Sequence, residues 1–326
     1  MPEPSPTPKR RGRLLRFGAS FAALLAVAGY LTVQYLTGGT GPGCEVGPAD
    51  GSGPSYEFTP EQAVNAATIT AVGTGRGMPE RAVAIALATA LQESGLRNIE
   101  HGDRDSLGLF QQRPSQGWGT SKEIMDPTYS AGIFYTHLAK VPDYQRLPLT
   151  VAAQRVQRSG FPEAYAKHEP DATLLAAALT GRAAATLTCQ GRPGVTRAGG
   201  PDGVRAALVR DFGRDVVQEA GAEVGGSGGP SPAPTPSGAP GTSGRTVTLP
   251  VRADTSAADG RSAGQRGWQL AHWAVANASA LHIERVSYAG REWTAGVTEG
   301  QWHTTDAKNA DGAAVDTGAV RITTGG

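Results

Sequence analysis

At 326 residues the chain is long enough for two modest domains with flanking segments. Its 30 Lys and Arg nearly balance its 29 Asp and Glu, and the net charge of +1 supplies no global field for nucleic acid or a polyanionic partner, so nucleic-acid binding is not expected. The six histidines include no His-Glu-x-x-His pattern. His272 and His282 read as partly exposed packing residues, and neither a metal nor a cofactor is expected.

The charge is uneven only at the start, where Lys9, Arg10, Arg11, Arg13 and Arg16 precede an uncharged run from Phe17 to Thr37. At about 1.5 Å per helical residue that run spans roughly 30 Å, one bilayer core. Basic residues keep their own side cytoplasmic, so residues 1–16 read as a cytoplasmic tail, 17–37 as a single-pass transmembrane anchor, and everything after as extracytoplasmic. A cleaved signal peptide is the competing reading, since the start is basic and the apolar run includes small residues. The run is long for such a peptide, however, and no Ala-x-Ala site follows Leu36. Lipidation of Cys44 is disfavoured, because Gly41-Pro42-Gly43 lacks the expected aliphatic residue. In an oxidising compartment Cys44 and Cys189, which bracket the segment between them, read as a disulfide.

A first exported domain is expected over residues 44–189. Thr59-Pro60-Glu61-Gln62 is a capping box with proline at the first helical position, opening a helix that ends near Gly75 or Gly77. An Ala-rich helix reads from Pro79 to about Ser94. After a polar, Gly-containing turn, helices are predicted from about Pro127 to Lys140 with Asp126 at the start, from Thr150 to Arg158, and from Pro162 to Thr180. Trp118, between Gly117 and Gly119, is either an exposed ring for stacking on a ligand or a core plug.

Glu93 lies at i+7 from Ala86 and i+3 from Ala90, so it continues the small-residue stripe that packs inward. A carboxyl there is partly desolvated and sits at the negative end of the helix dipole; both effects disfavour the anion and raise the pKa. An acid still protonated near neutral pH is what a departing glycosidic oxygen needs. Glu93 is therefore the candidate general acid. His101, beside Gly102, reads either as a group tuning Glu93 or as a solvent-facing donor.

Glu93-Ser94-Gly95, Gly108-Leu109-Phe110-Gln111, Gln157-Arg158-Ser159-Gly160 and Pro162-Glu163-Ala164-Tyr165 follow one another in that order. On these motifs residues 59–181 resemble the lytic transglycosylase and goose-type lysozyme superfamily, in which Glu-Ser is followed by a Gly-Leu-Met-Gln hairpin and later by Ala-Tyr-Asn-Ala-Gly. Gly102-Asp103-Arg104 is similar to the Gly-Asp-Arg ahead of that hairpin in goose-type lysozymes. The resemblance implies an α-rich lysozyme-like (α+β) domain, a single catalytic glutamate, and a Gln111 that faces the bound sugar. Phe110 stands in place of the family's methionine. Gln157 and Arg158 replace the tyrosine and asparagine that line the family's cleft, and Tyr165 is a candidate for a nearby aromatic face or for a core anchor.

Two mechanisms are open for one glutamate. Hydrolysis by inversion requires a second carboxylate that holds a water across the cleft, and Asp103 and Asp105 lie where one would be expected. Transglycosylation requires none, because the substrate's own 6-hydroxyl attacks the anomeric carbon. Asp-Arg-Asp-Ser also reads as a self-satisfied turn around Arg104, which leaves Asp103 the weaker catalytic candidate.

Past Cys189, residues 190–224 read as a connecting region with an amphipathic helix over Val204 to Phe212, and residues 225–244 as a Gly, Ser and Pro spacer. Residues 245–326 read as a small α+β domain. A strand is expected over Thr246 to Val251, a helix over Trp268 to Leu281, a hairpin over Ile283 to Thr294 turning at Ala289-Gly290, and an edge strand over Val320 to Thr323. This part resembles modules appended to bacterial cell-wall proteins. The expectation is a membrane-anchored extracytoplasmic enzyme that cuts peptidoglycan glycan strands, held to the lipid bilayer through residues 17–37, with cell-wall or divisome proteins as partners of the C-terminal module. The alternative is a non-enzymatic wall-binding or scaffolding protein that retains the lysozyme fold.

Overall fold

The computed structural model of the chain describes residues 43–190, 200–214, 216, 245–251, 260–296, 301–305 and 318–325. Among these no helix is long and apolar enough to cross a membrane, and the expected anchor (17–37) and spacer (225–244) lie outside them.

Helix α1 (Pro60–Gly75) starts at the expected capping box. The Gln62 amide donates to the Thr59 hydroxyl at 3.3 Å, and the Thr59 amide donates to the Gln62 side chain at 2.7 Å. Helix α2 (Glu80–Ser94) is buried on every side from Ala82 to Leu91, as an apolar helix with small residues all round must be. Around it pack α1, α4 (Pro127–Leu138), α5 (Leu149–Gln157) and α6 (Glu169–Leu179), with the short α3 (Ser121–Ile124) ahead of α4. The helix expected from Pro162 begins only at Glu169. Tertiary bonds displace local helix there: the Thr150 hydroxyl donates to the Pro162 carbonyl at 2.6 Å, and Tyr165 is drawn into the core.

Strand β1 (Cys44–Val46) lies between β2 (Tyr56–Phe58) and β3 (Leu187–Cys189), antiparallel to both. Cys44 faces Cys189 across that pairing, and the two form a disulfide. Three-residue strands are marginal by themselves, so the covalent link fixes their register.

The C-terminal residues form an antiparallel sheet in the order β4 (Thr246–Pro250), β8 (Ala319–Thr324), β5 (Ile283–Tyr288), β6 (Arg291–Thr294) and β7 (His303–Thr304). The strand expected at the edge is interior: Val320 and Ile322 are fully buried, and β8 is paired on both sides. Helix α8 (Ala263–Ala276), capped by Ser262 and followed by α9 (Ala278–Leu281), lies on this sheet. Its residues from Gly267 to Ala276 are all buried, because its other side meets α1, α6 and β3.

The described residues thus make a single compact unit with one continuous apolar core. The contact is close. Gly181 has φ +80°, and a Cβ there would overlap the Gln265 carbonyl oxygen of α8. Buried polar bonds cross the same seam: Gln269 Nε2 to Thr74 Oγ1 at 2.7 Å, Trp302 Nε1 to the Leu187 carbonyl at 2.9 Å, and His272 Nδ1 to the Ala178 carbonyl at 2.8 Å. His272, expected to be partly exposed, is fully buried between these layers. Helix α7 (Gly200–Phe212) joins through the buried Asp211, which accepts from Trp273 Nε1 at 2.8 Å, Thr68 Oγ1 at 3.3 Å and Arg210 at 2.8 Å.

Candidate functional site

Glu93 occupies the last turn of α2, and local chemistry fixes where that turn ends. Gly95 and Leu96 are consecutive left-handed residues (φ 62° and 59°), and their amides bond back to Leu91 and Ala90 at 3.0 and 3.1 Å. Two amide side chains of α1 meet the outward carbonyls: Gln62 donates to Gly95 and Asn65 to Leu96, both at 2.8 Å. Ser94 Oγ donates to the Leu109 carbonyl at 2.8 Å, which clamps the following hairpin to the helix end.

That hairpin is closed by the Leu107 and Gln112 pair, whose amide–carbonyl bonds are 2.9 and 3.0 Å. Its tip is the Gly108–Gln111 motif. Gln111 is left-handed (φ 47°), and its Nε2 donates to the Gly108 carbonyl at 3.2 Å, so the amide braces its own turn. Gly102 packs against the Gln111 amide oxygen, where a Cβ would overlap it.

Around the Glu93 carboxyl the structure brings together two of the sequence candidates. Tyr165 donates its hydroxyl to Glu93 Oε1 at 2.7 Å. Gln157 Nε2 donates to the Phe110 carbonyl at 2.8 Å, and its side chain is near enough to Glu93 to lower the carboxyl's pKa. Helix α5 carries no tyrosine, and the hydroxyl that reaches Glu93 comes from Tyr165, eight residues past Gln157. Burial pushes the Glu93 pKa up, and the Tyr165 hydroxyl bond and the nearby Gln157 side chain pull it part of the way back. Of the carboxylates with displaced pKa values among the described residues, Glu93 alone is raised; Asp50, Asp105 and Glu123 are lowered. Tyr165 is itself held protonated by burial and by the neighbouring carboxylate.

The other candidates lie apart from this carboxyl or are packed. Asp105 accepts from Arg113 Nε at 2.7 Å and from the Ser115 amide at 2.9 Å; these bonds hold its pKa below the usual carboxylate range and make it a brace of the hairpin. Asp103 is exposed, and its carbonyl closes the turn to the Ser106 amide at 3.1 Å. Trp118 is only 9% exposed and stacks on His137 with ring centroids 4.3 Å apart, while Tyr129 donates to its carbonyl. Tyr165 is fully buried, so its ring is a core anchor and only its hydroxyl meets the Glu93 carboxyl.

Three residues passed over in the sequence stand out among the described residues. His137 covers the face of Trp118; Lys140 follows it at the end of α4; and Phe161, 77% exposed, sits between Ser159 and Tyr165. No local pattern marks them, since each is set by which segment folds over which. A cavity of about 210 Å³ lined by Met78, Pro79, Glu80, Thr180, Arg182 and Gln265 belongs to the other end of α2. It is roughly 20 Å from Glu93 at helical rise. Among the described residues no group of His, Cys, Asp and Glu is arranged to hold a metal ion. No protein-family model and no curated protein matches this chain.

Proposed function

We propose that the chain is a membrane-anchored, extracytoplasmic enzyme with a lysozyme-like domain that cuts peptidoglycan glycan strands, with Glu93 as general acid and then base. The observation that carries this reading is the Glu93 carboxyl itself: part-buried, raised in pKa, at a helix end, and oriented by the Tyr165 hydroxyl at 2.7 Å. The motif order from Glu93 to Tyr165, similar to that of lytic transglycosylases, points the same way.

Glu93 gives its proton to the glycosidic oxygen as the bond from that oxygen to the anomeric carbon breaks. The substrate's 6-hydroxyl oxygen bonds to the anomeric carbon, and its proton returns to the Glu93 carboxylate, which leaves an anhydro end and a regenerated acid. Transglycosylation is favoured over hydrolysis because Asp105 is committed to Arg113 and Ser115, and Asp103 sits exposed in its turn. A wall-binding protein is the second reading. It is favoured by the packed rings of Trp118 and Tyr165, which remove both expected sugar-stacking faces.

Incubating the full chain with purified sacculi and weighing the released products tests both. Anhydro ends are expected; reducing ends would indicate hydrolysis, and no release would leave the binding reading. Glu93→Gln keeps an acceptor for Tyr165 and removes the proton, so turnover should fall by a factor on the order of 100 to 10,000. Undiminished release by that variant would overturn the assignment.

A further inference from the structure

Two successive carbonyls of the hairpin tip accept from side chains that stand beside the acid. Ser94, next to Glu93, donates to the Leu109 carbonyl, and Gln157, at the end of α5, donates through Nε2 to the Phe110 carbonyl, both at 2.8 Å. The hairpin is the fixed partner in these bonds. Leu109 and Phe110 are fully buried, and the Phe110 ring stacks on Phe134 of α4 with centroids 4.6 Å apart. The end of α5 is hooked to that fixed point by the part-buried Gln157. Beyond it the chain leaves the helix through Arg158, left-handed at φ 52°, and is tied down again at Pro162, whose carbonyl accepts from Thr150 at 2.6 Å. Tyr165 then reaches Glu93 Oε1 at 2.7 Å. Gln157 thus stands where the hairpin, the end of α5 and the segment carrying Tyr165 meet.

Resting on the glycan-strand reading above, we propose that Gln157 is a positioning residue: by bridging the end of α5 to the Phe110 carbonyl it holds the Gly108–Gln111 hairpin and the Glu93 acid in one frame. Gln111, the residue expected to face the sugar, follows Phe110 directly, so the bridge lies one peptide from the sugar-binding end. A general acid must stand within hydrogen-bond reach of the leaving oxygen, and a misplacement of about 1 Å costs about 100-fold in rate. Ser94 makes the tie from the acid's own helix, and Gln157 makes it from the helix whose continuation carries Tyr165. A sugar held by the hairpin then meets a carboxyl whose orientation is already set. Glutamine suits this place. Its amide donates to the carbonyl and stays uncharged beside an acid that must keep its proton, whereas a carboxylate there would have no donor and a lysine would favour the Glu93 anion.

The test uses the full chain with Gln157→Met, which keeps the length of the side chain and removes the donor. Gln157→Asn, whose amide is one methylene short of Phe110, carries the same test if the first variant fails to fold. Two quantities are measured: the titration of the Glu93 carboxyl by carboxyl-carbon NMR, which needs no turnover, and kcat and KM on soluble glycan strands across pH. The Glu93 midpoint should rise, because the Gln157 side chain lowers it in the parent, and the alkaline limb of kcat should follow it upward. On its plateau kcat should fall by a factor on the order of 10, with KM within about twofold of the parent. A residue that only held the helix end would lower the thermal midpoint and leave the Glu93 titration and the kcat of the folded protein where they were. An unmoved Glu93 midpoint, or an undiminished kcat, overturns the proposal. A parent that releases no products sinks the enzymatic reading alone, and a Glu93 midpoint that still moves in the variant keeps Gln157 as the residue that sets the carboxyl.

Discussion

Replacing Tyr165 by Phe removes one hydroxyl from the Glu93 site and keeps the buried ring. A hydrogen bond to a charged acceptor contributes about 1.5–3 kcal/mol, and one to a neutral acceptor about 0.5–1.5 kcal/mol. The variant should therefore lose about 1.5–3 kcal/mol of stability where Glu93 is ionised, and about 0.5–1.5 kcal/mol where it is protonated. The sign of the pH effect follows. Burial holds the folded Glu93 pKa above its unfolded value, so the fold is relatively weakened as pH rises through that interval. The tyrosine bond offsets part of this, and its loss moves the pKa further up. Because the proposed acid must be protonated, the alkaline limb of the strand-cleavage profile should shift to higher pH in the variant. Urea unfolding at about pH 4 and about pH 8, together with that rate profile, reads both effects. Equal stability losses at the two pH values, with an alkaline limb unmoved or shifted down, would refute the idea that Tyr165 serves the carboxylate.

Changing Cys44 and Cys189 together to Ser opens a loop of sequence separation 145 and should lower stability by at most about 5 kcal/mol in the chain-entropy model, read as a lower guanidinium midpoint with a single transition retained. A free thiol at either position in non-reducing peptide maps would count against the link. His272 is held near a pKa of about 4 by burial, although its bond to the Ala178 carbonyl acts in the opposite direction. Its neutral form contributes stability that is fully present above about pH 6.5 and lost toward pH 4, on the order of 3 kcal/mol. His272→Gln should flatten the unfolding free energy over that window relative to the parent, and parallel curves would exclude His272 as the source.

Helix starts were legible because the signals are local: the Thr59 and Gln62 box, Asp126 before Pro127, and the Ala-rich run that ends at Ser94 each specify their own few residues. Glu93 was legible for the same reason, as a carboxyl on the inward stripe of such a helix. What surrounds it was less so. Tyr165 looked like a ring and meets Glu93 through its hydroxyl, since only tertiary folding shows that the stretch from Pro162 to Tyr165 leaves the helix to bring it there. Trp118 between two glycines gives no hint of His137, nineteen residues later, lying on its face. The position of β8 was missed because a short alternating strand reads alike at an edge or in the middle; the number of partners is a property of the sheet.

Strand β8 is among the last residues of the chain and yet holds the middle of its sheet, while α8 fills the seam between that sheet and α1 and α6. Because synthesis runs from the N-terminus, α1, α2 and α6 exist long before the surfaces that cover their outer faces. The Cys44–Cys189 link can close before residues 246–324 have been made, but the shared core cannot. Pairings as distant as Thr74 with Gln269 must then form across a separation of 195 residues, which slows the final closure. A chain that stops before Ala319 would leave β4 and β5 without the strand that joins them, exposing backbone edges prone to pairing with other chains.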